Sequence, residues 1–141
     1  MIATLGRPRA EEPEPSVATV AETIYIVDDD DAVRDSLGGL LKLHSYEIET
    51  FPSGADFLAR YTPDLKGCLI LDINLPGFDG FAVLGRLGVP RAGFGVVMIT
   101  AQADQAMERR ALDAGATALI RKPFAADRLL GLIREALDQQ G

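Results

Sequence analysis

This 141-residue chain has no cluster of basic residues, no long apolar run and a single cysteine. Its 14 Lys and Arg are scattered among 21 Asp and Glu, leaving a net charge of −7. A nucleic-acid surface carries a basic stripe that neutralises phosphates, so direct binding to DNA or RNA is not expected. No apolar stretch approaches the ~18 residues that cross a bilayer, and the N-terminus has no apolar signal core, so no membrane partner is expected either. The lone Cys68, in "CLILD", cannot close an internal disulfide. That suits a reducing cytoplasm, and the residue reads as a small buried hydrophobe rather than a reactive thiol.

What is present is one domain's worth of chain with evenly spread aliphatics. Residues 1–22, with Pro8, Pro13 and Pro15 around an acidic "EEPEP", show no periodicity and read as a flexible tail. The folded part is expected over 23–141. It opens with "TIYIV", a β-branched run that reads as a buried strand. Val33, Leu37, Leu40 and Leu41 follow at helical spacing. Strand "EIETF" comes next, then a helix opened by Ser53 and Asp56 at capping-box-like spacing. "CLILD" is a third strand, apolar on both faces as in a sheet covered on both sides. The turn-rich "INLPGFDG", a helix through Phe81, Leu84 and Leu87, and strand "GVVMIT" continue the alternation. A helix around Met107 ends at Gly115, "TALI" is a fifth strand, and Leu129, Leu130, Ile133, Ala136 and Leu137 mark a last amphipathic helix. Five such units predict an α/β fold, a doubly wound five-stranded parallel sheet with five helices.

In such sheets ligands bind along the edge formed by the C-terminal ends of the strands. Asp28 and Asp29 follow the first strand, Asp72 ends the third, Thr100 and Ala101 end the fourth, and Lys122-Pro123 follow the fifth. Carboxylates crowded on one rim repel unless a cation is present. Oxygen donors without His or Cys suit Mg²⁺, and Lys122 completes the charge balance.

"YIVDDD", "LILDINLPGFDG", "VVMITAQAD" and "ALIRKPF", in this order, resemble the receiver domain of response regulators in bacterial two-component signalling. The resemblance covers roughly residues 23–139 and implies the flavodoxin-like receiver fold. It implies a phosphoryl group accepted from the phosphohistidine of a histidine kinase, or from a histidine phosphotransfer protein in a phosphorelay. It places the acceptor at Asp72, the metal ligands at Asp28 (through a bound water), Asp29, Asp72 and the main-chain carbonyl of Asn74, and supporting roles at Thr100 and Lys122. Family members have a cis bond at the position of Lys122-Pro123, and a signalling face on the fourth helix, fifth strand and fifth helix, implying a phosphorylation-dependent dimer there. The resemblance also implies a domain that assists its own phosphorylation and dephosphorylation and is not a conventional enzyme.

Two departures shape the expectations. Leu119 stands where receivers commonly carry an aromatic ring that swings inward, so the response is expected in residues 102–114 rather than at Leu119. The chain also ends soon after the last helix. The expected output is therefore protein–protein contact by a single-domain regulator whose downstream partner the sequence does not name. The alternative is the receiver module of a longer DNA-binding transcription factor. A hydrolase with an aspartyl-phosphate intermediate would want a second acid at position 74, where Asn74 stands, and an inactive receiver would lack some of the site residues. His44, at the end of the first helix, is expected to be exposed, without a functional role. Within "DDDD", Asp31 is expected to cap the first helix and Asp30 to be a spectator.

Overall fold

The computed structural model describes residues 22–89 and 93–138. Most of the expected tail therefore lies outside the described residues. Ten elements alternate strictly: β1 (Thr23–Val27), α1 (Asp31–Leu43), β2 (Glu47–Phe51), α2 (Gly54–Arg60), β3 (Gly67–Asp72), α3 (Gly80–Leu87), β4 (Phe94–Thr100), α4 (Gln105–Asp113), β5 (Ala118–Arg121) and α5 (Ala126–Asp138). All strand pairings are parallel, in the order β2-β1-β3-β4-β5. The doubly wound sheet read from the sequence is the one observed.

Period-two alternation along each strand divides the core into two layers. Tyr25, Val27, Leu69, Leu71, Val96 and Met98 face one layer with Phe57, Leu84 and Leu119. Ile24, Ile26, Cys68, Ile70, Val97 and Ile99 face the other with Leu37, Leu41, Leu129 and Ile133. The first layer is aromatic at its centre, where Phe57 lies within 5.3–6.4 Å of Phe51, Tyr61, Tyr25 and Phe94. Burying each large side chain completely contributes about 1.5–3 kcal/mol. Cys68 is fully buried in mid-sheet, and burial pushes its thiol up to about 12.

Helices α1 to α4 begin at side-chain caps: Asp30, Ser53, Asp79 and Asp104 each accept from amides of the first turn. This corrects the expected division of the aspartate run. Asp30, not Asp31, caps α1, accepting from Ala32 N at 2.9 Å. Asp31 is the first helical residue, and its carboxylate pairs with Arg34 one turn on. Asp28 holds the Asp30 amide, so the chain leaves extended geometry at Asp30, and that placement decides which aspartate caps.

Helix α4 is held more lightly than its neighbours. Ala111 is its only buried residue, with Met107 packed at the margin. The Arg110 guanidinium lies 3.8 Å from the Phe81 ring centroid and ties α4 to α3. Arg109, Arg110, Asp113 and Arg121 are exposed, as is His44, which forms the C-terminal cap of α1.

Candidate functional site

The ends of β1, β3, β4 and β5 bring the expected polar residues onto one rim. Asp28 (0 % exposed), Asp72 (4 %) and Thr100 (0 %) are the buried polar residues among those described, and Asp29 beside them is exposed. Carboxylate oxygens of Asp28, Asp29 and Asp72 all lie within 4.8 Å of one another. Three acids this close could hold a cation, and a hard, oxygen-only donor set fits Mg²⁺.

The two buried carboxylates are held in parallel fashion. Asp28 Oδ1 accepts from the Asp30 amide at 2.9 Å, and Asp72 Oδ1 from the Asn74 amide at 3.1 Å. Their second oxygens share one ammonium, with Lys122 Nζ 3.1 Å from Asp28 Oδ2 and 3.5 Å from Asp72 Oδ2. Lys122 thus leans toward Asp28 rather than toward Asp72. Its backbone is fixed by donation from Lys122 N to Thr100 O at 2.7 Å, and the Lys122-Pro123 bond is cis.

Burial raises the Asp72 pKa above the ordinary carboxylate value. The Asn74 amide opposes that shift, the neighbouring Asp28 charge reinforces it, and Lys122 again opposes it. Burial alone would lower the Lys122 pKa, but the hydrogen bond to Asp28 and the charges of Asp72 and Asp28 raise it. The ammonium is thereby locked in its charged form.

Thr100 Oγ1 donates to Asn74 Oδ1 at 3.0 Å and accepts from the Gln102 amide at 3.2 Å. Asn74 and Ala101 are exposed at the mouth of the rim, and Leu119 is buried beneath α4 in the aromatic layer.

Three contributors escaped the sequence reading. Arg34 donates to the Asp28 carbonyl while holding Asp31, bracing the loop that carries the acids. Its spacing three residues after Asp31 was the one legible signal. Gly80 sits where a Cβ would come within 2.6 Å of the Asp72 carbonyl oxygen and 2.7 Å of Ile73 Cα. Only a glycine lets α3 start so close to the acid-bearing strand. The Asn74 side chain, thirdly, reaches across to Thr100.

A doubly wound parallel sheet with three acids, a threonine and a lysine on its C-terminal rim defines the class. Residues 24–134 match the family described as the response regulator receiver domain. The transcriptional regulatory protein FixJ of Bradyrhizobium diazoefficiens is 34% identical over 116 residues, covering 82% of this chain and 57% of that protein. The response regulator protein TodT of Pseudomonas putida F1 is 37% identical over 117 residues, covering 83% and 52%. A CheY-like receiver domain protein from Methanospirillum hungatei superposes with a TM-score of 0.78 at 34% identity, covering 86% of this chain and 97% of that one. The chain belongs to the response regulator receiver family of two-component signalling. It spans about half the length of the curated relatives FixJ and TodT.

Proposed function

We propose that this chain is a phosphoacceptor that takes a phosphoryl group from a histidine kinase or phosphotransfer protein onto Asp72 and signals through protein contacts. The observation that carries it is the sharing of one ammonium by two buried carboxylates beside a third acid. A carboxylate oxygen of Asp72 forms the new O–P bond as the donor's N–P bond breaks, and the electron pair stays on the imidazole nitrogen. Asp29 and Asp72 would hold Mg²⁺ directly, with Asp28 through a water and Asn74 through its main-chain carbonyl. Bound there, the ion neutralises charge on the phosphoryl oxygens. Lys122 supplies a further point charge to those oxygens, and Thr100 supplies an O–H donor.

We take residues 23–141 as the receiver; residues 1–21 lie outside the described residues, and Glu22 already joins the fold, its carbonyl accepting from the Glu47 amide at 3.0 Å. The buried, unpaired Cys68 supports a reducing, cytoplasmic setting. Because α4 buries only Ala111, the fewest buried residues of the five helices, it is the helix that yields most readily when Thr100 changes partner, so the response runs through residues 102–114 rather than Leu119. The face of α4, β5 and α5 then meets an output partner or a second phosphorylated copy. A second reading is favoured by the partial coverage of FixJ and TodT: the chain is the receiver module of a longer transcriptional regulator. A reading frame continuing past Gly141 would establish it.

Incubation with Mg²⁺ and a small phosphodonor, read by intact mass, tests the acceptor. Wild type gains one phosphoryl group and Asp72→Asn gains none. Equal gain by both proteins removes Asp72 from the role.

A further inference from the structure

The Thr100 hydroxyl has one proton to give, and it is already committed. A hydroxyl offers one donor and two acceptor lone pairs. Here the donor goes to Asn74 Oδ1 at 3.0 Å, and the oxygen accepts from the Gln102 amide at 3.2 Å. Thr100 is completely buried, so no solvent competes for that proton.

Asn74 is tied in two ways. Its amide donates to Asp72 Oδ1 at 3.1 Å, and its carboxamide oxygen holds Thr100. One residue thus bridges the end of β3 to the end of β4. The side chain lies at the exposed mouth of the rim and can rotate away without disturbing its own main chain.

We propose that Asn74 is a positioning residue that latches Thr100, its carboxamide oxygen competing with a phosphoryl group on Asp72 for the single Thr100 proton. This deepens the phosphoacceptor reading above and rests on it. A phosphoryl oxygen is a charged acceptor and forms the stronger bond, so the exchange proceeds once the group is in place. Until then the bond to Asn74 opposes engagement. Asn74 therefore sets how firmly the domain holds an occupied Asp72. Its side chain does so through Thr100, independently of the main-chain carbonyl assigned to the metal.

The test is a titration of the full chain with beryllofluoride in saturating Mg²⁺. It follows the Gln102 amide by ¹H–¹⁵N NMR, in wild type, Asn74→Ala, Thr100→Val and the double variant. One neutral hydrogen bond corresponds to a change of about three- to tenfold in affinity. Asn74→Ala should bind beryllofluoride tighter by that factor, and the gain should vanish in the Thr100→Val background. Binding unchanged or weakened in Asn74→Ala overturns the latch, as does an equal gain with and without the Thr100 hydroxyl. Wild type failing to bind beryllofluoride at all overturns the phosphoacceptor reading, and the latch with it.

Discussion

Lys122 Nζ donates to Asp28 Oδ2 at 3.1 Å, across 94 residues of sequence. The bond ties the end of β1 to the end of β5, the two strands that flank β3 and β4 at the rim. Among the described residues, this ammonium is the cation paired with both buried carboxylates. Lys122→Met should therefore destabilise the metal-free protein. Lys122 is partly exposed, so screening holds the loss to about 1–3 kcal/mol. For a domain of this size that is a fall in Tm of roughly 3–10 °C. Thermal melts with and without Mg²⁺ check it: the gap should narrow when the ion is present, and an equal gap would mean that Lys122 acts by packing alone.

The raised Asp72 pKa has a stability consequence of definite sign. The folded state binds the Asp72 proton more tightly than the unfolded chain, whose aspartates titrate near ~3.9. The stabilisation from that proton is complete below the unfolded value and is lost as pH rises through the folded one. Above it, the domain carries a buried carboxylate whose ionisation opposes folding. Asp72→Asn removes the titration while keeping the shape. In metal-free buffer it should melt above wild type at pH 7, by a margin that disappears as the pH is lowered toward 4. A margin independent of pH would trace the gain to packing.

The four consecutive aspartates divide their work in a way that substitution can read. Asp30→Ala removes the α1 cap and should cost about 1 kcal/mol of stability, with little change in Mg²⁺ affinity. Asp31→Ala loses an exposed ion pair with Arg34 and should cost well under 1 kcal/mol. Asp29→Ala should abolish Mg²⁺ binding while leaving the melt of the metal-free protein nearly unchanged. Chemical denaturation and Mg²⁺ titration on the same three variants separate the roles.

What the sequence displayed, and what it hid, follows from the range of each interaction. Strand and helix periodicity is local, so all five units were legible, down to β1 at Thr23–Val27 and Gly115 closing α4. Strand ends in a parallel sheet share an edge, so the rim positions of Asp28, Asp72, Thr100 and Lys122 followed from the alternation. The choice between Asp30 and Asp31 as cap did not, because both have the right chemistry. Only the point where the backbone turns, fixed by the Asp28 carboxylate, decides between them. The Asn74–Thr100 bond and the tight seat of Gly80 are contacts between β3 or its loop and distant elements, which no spacing rule encodes.

Gly80 is open to a direct test. A methyl group there meets the backbone of Asp72 and Ile73, which has no rotamer with which to give way. Gly80→Ala should therefore displace either α3 or the acid itself, at a cost of about 1–3 kcal/mol. Mg²⁺ affinity should fall with it, because the displaced backbone carries Asp72. A destabilised variant with wild-type Mg²⁺ affinity would show that α3 moves and the acid stays.

The burial of Cys68 makes the native domain behave toward alkylating reagents as though it contained no cysteine. The thiol is sealed between β1 and β4 and ionises only near about 12, so it reacts only in molecules whose sheet has opened. Its rate of modification is then a built-in gauge of the open population. A reporter thiol introduced at exposed Ala106 on α4 could carry a probe of helix movement while the native thiol stayed silent.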